Sequence, residues 1–522
     1  MASENVKIVI KEVNETSPKG AGASSDIAYI PGLAVDTAIS RNIPVLCNTI
    51  AEFEYNFGDT PYKFTKEDVE DMSETTKKKV GDSIIEGGYD LSYIYAKELL
   101  NAGMSVYYEN IAADDESIKA LEEALANAKV VAQTAEATYR EAVKATKAAE
   151  TELKNATDET RAEKQIALTN AQAAEEAALT AWNDAKTAVD TANKTYEASK
   201  DRVDYLYEVL NDRLEVLLDK DEYTVKYITT GGYPTFTDIE SPENNTLAAK
   251  VVDVAYQRGD AVGLVDHVNN PSLSLDPFNE KSIYAAVNKF TWSNGSFGAM
   301  FTPYAKYSCM TLADDTNTND INEALQIMPA SFGYLMCMAA AIKTSPNWLA
   351  MAGVTRGGVP NIQTLTPNQL LSNLIAEEYQ PKFGAEGNNI SVNAITNVKP
   401  YGLTVWGNRT LEKVDPKGTT ALNFLNTRNM VSDIKKLAHT TAKSLMFEQD
   451  SDALWLKFKS KITPLMEQLK TGFGISDYKI LRATTKINGD PLTRGELAAV
   501  LRIYPLYAIE YFDITVAISE QE

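Results

Sequence analysis

The sequence predicts a multidomain mixed α+β protein of the α/β type, with a long antiparallel helical hairpin inserted in it and an extended strand at each terminus. Three observations carry this. Between Gly103 and Gly231 there is neither glycine nor proline, and alanine fills 24 of the 85 residues from Glu116 to Lys200, a composition that strongly favours helix. On both sides of that stretch, short apolar runs alternate with amphipathic segments and Gly/Pro/Asn loops, the rhythm of α/β layers. At the two ends, Val6–Val13 and Ile509–Ile518 read as strands, the first followed by a Ser/Gly/Pro-rich linker, Asn14–Ser25.

The first strand presents Val6, Ile8 and Ile10, and the last carries Tyr511, Ile514 and Val516. A lone strand on a tether is not stable by itself and needs a sheet to join. Residues 28–111 read as strands and helices, closing with a helix over Tyr89–Ala102 and a strand over Val106–Asn110. Within 112–218, Ala167, Ala171, Ala174, Ala178, Ala181, Ala185, Ala188 and Ala192 keep a 4-3 alternation, the seam of a coiled coil. A matching seam runs through Leu121, Leu125, Ala128, Ala132, Ala135, Tyr139, Ala142, Thr146, Ala149 and Leu153. The polar break Asn155–Asp158 suits a turn and an N-cap. Each arm then projects about 55 Å at 1.5 Å per residue.

From Asp219 the α/β rhythm resumes, with a helix over Leu247–Arg258, a buried strand over Ala261–Val265 and a buried core helix over Ile327–Ile342. Thr419–Met446 and Asp452–Leu469 read as amphipathic helices, the second striped by Leu454, Phe458, Ile462, Leu465 and Leu469 and expected to kink at Pro464. The chain is accordingly divided into an N-terminal arm (1–27), a core in two parts (28–111 and 219–400), the inserted hairpin (112–218), a C-terminal domain (401–508) and a C-terminal strand (509–522).

Composition narrows the function. Lys plus Arg is 50 and Asp plus Glu is 72, a formal charge of −22, which argues against a protein that coats nucleic acid or anionic membrane. No run approaches the ~18–20 apolar residues of a membrane span. The N-terminal MASENVKIVIKEV has no apolar signal core, so synthesis in the cytoplasm is expected. Three scattered cysteines, Cys47, Cys309 and Cys337, form neither a disulfide framework nor a zinc spacing, and two histidines exclude a histidine-rich metal site. No cofactor is expected.

The remaining chemical constellations are thin. Asp266-His267 follows a strand, where α/β enzymes place catalytic groups, yet no nucleophile partners it and a structural histidine is the better reading. Asp315-x-Asn317-x-Asn319 resembles the start of a calcium loop, but Asp320 stands where glycine is needed and Gln326 where a bidentate glutamate is needed. From Arg428 to Arg494 there are 12 Lys/Arg against 7 Asp/Glu. Lys457, Lys459 and Lys461 in this stretch are candidates for docking an acidic partner, beside the plainer reading of a solvated helix face.

In the C-terminal third, Gly402–Leu411, Asn423–Arg428 and the stretch from Phe447 to Trp455 resemble motifs of contractile tail sheath proteins, the family shared by contractile-tailed phages, R-type pyocins and type VI secretion sheaths. Gly402–Leu411 (GLTVWGNRTL) matches a G-x-x-V-W-G-x-R-T-L motif through Val405, Trp406, Gly407, Arg409, Thr410 and Leu411. Asn423–Arg428 (NFLNTR) is similar to a second stretch, with Thr427 and Asn429 departing from it. Phe447, Leu454 and Trp455 fit F-E-P-N-D-x-x-L-W, with Gln449 in place of the proline. Weaker similarity covers Ile30–Gly58 and Met328–Gly353.

The resemblance implies a structural subunit with no enzymatic activity. It would polymerise helically around a tail tube and contract to drive that tube through a cell envelope. Implied partners are further copies of the chain, the tail tube protein, and baseplate and tail-terminator proteins, with no nucleic acid and no membrane insertion. It implies a place in a virion tail assembled in the bacterial host cytoplasm, a 401–508 domain that faces the tube, and a hairpin that is a peripheral decoration. Terminal strands that complete a neighbour's sheet would weave the copies together, since head-to-tail exchange that does not close gives helical filaments. A non-contractile tube or baseplate protein, and a soluble enzyme using Asp266 and His267, are the competing readings.

Overall fold

A computed structural model describes residues 26–33, 42–80, 88–111, 115–198, 201–269, 279, 281–313, 325–366, 390–414, 419–486, 490–493 and 495–508. Val6, Ile8, Ile10, Tyr511, Ile514, Val516 and the 315–320 stretch lie outside the described residues. The chain divides into two compact units: residues 1–69, 74–110 and 211–522 form one, and 70–73 with 111–210 the other.

The larger unit is built on an eight-stranded sheet ordered β11-β10-β6-β5-β4-β1-β3-β2. Its strands are β1 (Ile27–Gly32), β2 (Val45–Cys47), β3 (Ser105–Asn110), β4 (Tyr227–Ile228), β5 (Val262–Val265), β6 (Gly298–Thr302), β10 (Asn393–Val398) and β11 (Gly402–Val405). The six inner strands are parallel, and β2 and β11 are antiparallel at the two edges. β1, β5 and β6 are buried at every residue, as parallel strands covered on both faces must be. The chain passes from β1 to β3 on one side and returns to β4 on the other, so the order is doubly wound with its switch point between β1 and β4.

The helices behave as their caps dictate. Helix Leu91–Ala102 starts on Asp90, whose carboxylate accepts from Ser92 N, and stops at Gly103 in a left-handed conformation with φ 93°. Helix Thr246–Arg258 stops the same way at Gly259. The expected core helix over 327–342 divides. Leu325–Met328 is strand β8, and the helix is Ala330–Ala341, because Pro329 at its N-cap has no N–H to carry a helix backwards. β8 joins β7 (Tyr304–Ser308) and β9 (Ile362–Thr366) in an antiparallel sheet ordered β8-β7-β9.

The C-terminal part packs helices Leu425–Lys443 and Asp452–Thr471 on an antiparallel pair, β12 (Ile475–Ala483) and β13 (Ala498–Pro505). Their shared core holds Trp348, Met430, Ile434, Phe458, Ile462, Met466, Leu469 and Ile480. The helix expected from Thr419 begins at Leu425, after a 3-10 turn over Ala421–Asn423 and an extended Phe424. Helix Asp452–Thr471 runs on through Pro464, which sits at an exposed position.

The smaller unit contains the hairpin, with arms Asp115–Lys154 and Arg161–Ala198. Every seam position of the first arm from Leu121 to Leu153 is buried or half-buried. The second arm is rotated from the expected seam. Ala171, Ala178, Ala185 and Ala192 face inward, but Ala167, Ala174, Ala181 and Ala188 are exposed, and Leu168, Glu175, Trp182 and Val189 take their place. Both phases share one alanine ridge, and the phase that wins buries the apolar surface of Leu168, Trp182 and Val189 although it also half-buries Glu175. Trp182 stacks on Tyr139 with ring centres 5.3 Å apart, and the Thr146 hydroxyl donates across to the Ala171 carbonyl at 3.2 Å. Ala185→Glu is therefore expected to cost about 2 kcal/mol or more, by burying an unpaired charge. Ala181→Glu should stay within about 0.5 kcal/mol of the parent. Equal losses of helical circular dichroism on heating would sink this phase assignment.

Candidate functional site

The motif that carries the family resemblance is a buried joint. Gly407 lies against Asn393 of β10, where a Cβ would come within 2.7 Å of the Asn393 side-chain oxygen, so only glycine allows the approach. Asn393 in turn accepts from Arg409 N at 2.7 Å and donates to the Arg409 and Met300 carbonyls. Val405 and Leu411 are fully buried, Leu411 N donates to Gly298 O, and the Thr410 hydroxyl donates to Leu422 O at 2.7 Å. The Arg409 guanidinium sits over the Phe424 ring at 4.4 Å. Trp406 is half-buried and its backbone N–H donates to Ala394 O.

Arg428 completes the joint. It is fully buried in helix Leu425–Lys443, donates from Nε to Ser296 O at 2.9 Å, and lies 3.8 Å over the Phe297 ring. The motif residues thus fasten the C-terminal helices to the β6 side of the large sheet.

A second joint escaped the sequence. The Lys226 ammonium is wholly buried between Asp26 Oδ1 and Asp433 Oδ2, each at 2.8 Å, and Asn347 donates to both carboxylates at 3.3 Å. Burial alone would lower the ammonium's pKa, but Asp433 and Asp26 outweigh it and raise it above the ordinary lysine value. One turn along the same helix, Lys436 donates to Val225 O at 2.7 Å, and burial pushes its pKa down to about 8. The four partners come from positions 26, 226, 347 and 433, so no local spacing announces them.

At the switch point between β1 and β4, where α/β folds take ligands, buried side chains of the chain bond to one another. Asp90 accepts from Tyr233 at 2.7 Å and from the Ser92 hydroxyl at 2.7 Å, and lies 3.4 Å from Tyr108 OH. A Cβ on Gly32 would fall 2.1 Å from Tyr108 OH. Asp266 and His267 are buried and serve different partners. His267 Nδ1 donates to Val268 O at 2.8 Å and Nε2 accepts from Thr302 Oγ at 3.1 Å, while burial lowers its pKa to about 4. Asp266 Oδ2 accepts from the Ser331 hydroxyl at 3.0 Å, and burial raises its carboxyl to about 7.

Exposed groups gather on the C-terminal part. Phe447 is 85% exposed at a left-handed backbone position, φ 66°, while Leu454 and Trp455 are half-buried against the helical core. Lys457 pairs with Glu448 at 3.2 Å and Lys461 donates to Ser444 Oγ at 2.8 Å. Lys459 is exposed, and two residues along a helix it points about 200° away from Lys457. The three lysines therefore divide between two flanks. Among the described residues no group of His, Cys, Asp and Glu could hold a metal ion, and no helix is long and apolar enough to cross a membrane.

The described residues form a doubly wound sheet joined to a helix-backed strand pair through buried polar contacts. The chain is similar to the tail sheath protein of Vibrio phage KVP40, at 22% identity over 261 residues. It is also similar to that of Enterobacteria phage T4, at 22% over 239 residues. The matches cover 50% and 45% of this chain but only 34% and 30% of those proteins, so the chain spans about a third of the length of these curated relatives. No family profile matches it. Among solved structures it is similar to the sheath of an extracellular contractile injection system, PVC, in the contracted state. That likeness has a TM-score of 0.49 and 13% identity, covering 99% and 98% of the two chains. The contracted helical sheath of the anti-feeding prophage aligns with a TM-score of 0.46 and 12% identity, over 99% of both. The resemblance to tail sheath proteins read from the sequence is thus met by similarity to two of them.

Proposed function

We propose that this chain is the structural subunit of a contractile tail sheath, which polymerises helically around a tail tube and contracts to drive the tube through a cell envelope. The observation that carries this reading is the similarity to two phage tail sheath proteins over about half the chain. The bonding of Asp90 to Tyr233 at the switch point and the separate partners of Asp266 and His267 support a structural rather than a catalytic role.

In this reading the partners are further copies of the chain, the tube protein, and baseplate and terminator proteins, in a virion tail assembled in the host cytoplasm. The core comprises 28–111 and 219–400, the 401–508 domain faces the tube with Lys457, Lys459 and Lys461, and the 112–218 hairpin is peripheral. Val6, Ile8 and Ile10, with Tyr511, Ile514 and Val516, are the faces of strands exchanged between copies. A pair such as β12 and β13 is marginal alone and gains from added strands.

Negative-stain microscopy of the purified chain tests the reading. Tubular polymers are expected, and a persistently monomeric species would sink it. Deleting residues 1–20 or 509–522 should leave a folded monomer with unchanged circular dichroism that forms no tubes. If either truncation assembles like the parent, the exchanged-strand role of that terminus is wrong.

A further inference from the structure

Among the described residues, the non-glycine positions with positive φ are Asn42, Asn361, Phe447 and Phe473. Asparagine tolerates this conformation, whereas a bulky side chain in it is strained. Phe473, with φ 59°, stands in a turn that shows why the strain is worth a reason. Gly474 N donates to Leu469 O at 2.8 Å and closes helix Asp452–Thr471, which leaves Phe473 at the left-handed position where glycine is the usual choice. Glycine stands instead on both sides of it, because a Cβ would come within 2.7 Å of the Trp348 ring at Gly472 and within 2.9 Å at Gly474. Trp348 Nε1 also donates to Gly472 O at 2.9 Å. The turn is thus pressed onto Trp348 while the Phe473 ring is 75% exposed. An aromatic placed at a backbone cost and left in water stabilises nothing by itself, and points to a contact.

The chain leaves the domain at this ring. Leu506 N donates to Gly474 O at 3.2 Å, Leu506 and Tyr507 are exposed, and the described residues end at 508. We propose that Phe473 docks the start of its own C-terminal segment, Ile509–Phe512 (IEYF), with Ile509 and Phe512 packing on the ring. The place where the described chain ends names the occupant. Four residues extend over about 14 Å, and they begin three positions beyond the residue bonded to the neighbour of Phe473. Three of the four are apolar. A segment tethered this closely acts at an effective concentration of roughly millimolar, above that of a second copy in ordinary solution. Docking here goes beyond the polymeric reading and does not need it, and it leaves Ile514 and Val516 for exchange.

Brief chymotrypsin digestion of the full-length chain tests this, read by mass spectrometry as the rate of cutting after Tyr511 and Phe512. Phe473→Gly relieves the backbone at this φ and removes the ring. Cutting is expected to be about tenfold faster in the variant than in the parent, since it follows the undocked population, with cuts within 425–505 unchanged. Phe473→Tyr, which keeps a ring, should cut like the parent. Should cuts within 425–505 also quicken in the glycine variant, Phe473→Asn, which tolerates the same φ, decides by the same readings. A parent cut as fast as the free peptide 506–522, or as fast as the variant without the ring, would overturn the proposal. Protection that disappears on hundredfold dilution of the parent would assign the ring to a second copy and overturn it as well.

Discussion

Replacing Lys226 with methionine is expected to lower the unfolding free energy by about 3–5 kcal/mol, the usual cost of removing one partner from a buried charge cluster. The substitution leaves the Asp26 and Asp433 carboxylates in the interior without the ammonium that sits between them. Exposed pairs such as Lys457–Glu448 should cost less than about 1 kcal/mol when broken, because water and salt screen them. Adding Asp433→Asn to Lys226→Met should recover part of the loss, since it removes one uncompensated charge. Denaturant unfolding of the single and double variants reads both effects. A Lys226→Met protein within about 1 kcal/mol of the parent would show that the triad is not fastening the strand to helix Leu425–Lys443.

Asp266→Asn should raise stability at pH 8 and flatten its dependence on pH. The folded carboxyl titrates near 7 because it is fully buried, against an ordinary 3.8. Below the ordinary value both states hold the proton and the fold pays nothing for this group. As pH climbs from there to about 7, the unfolded chain releases the proton and the folded chain keeps it, so stability falls; above that it levels off. The full drop is on the order of 4 kcal/mol at about 1.36 kcal/mol per pH unit. Asparagine never ionises, and its side chain can still meet the Ser331 hydroxyl that Asp266 Oδ2 accepts from. Thermal melts at pH 5 and pH 8 decide the matter. A variant less stable than the parent at pH 8, or one with an unchanged slope, would show that Asp266 is ionised in the fold and held by partners.

These expectations separate what neighbouring residues decide from what distant ones decide. The hairpin arms were readable to within a few residues, because alanine propensity, heptad spacing and the Asn155–Asp158 break all act along the chain. The second C-terminal helix was readable for the same reason, with Ser451 capping it through Leu454 N. The motif Gly402–Leu411 was also legible, but as a family mark, not as a role. That Gly407 answers Asn393 and Arg428 answers Ser296 needs both partners in view.

The amino-acid sequence by itself determined the α/β rhythm, the hairpin and its turn, the acidic charge and the tail sheath resemblance, all of which follow from residues close together or from composition. Only the tertiary structure decided which ridge of the second arm turns inward, that Ile327 and Met328 are strand and not helix, and that Lys226 is the middle of a buried triad. It likewise decided that Asp266 sits where burial holds its proton near neutral pH. Each of these is settled by competition among partners far apart in the chain, through apolar area, desolvation and charge pairing, none of which a local pattern contains.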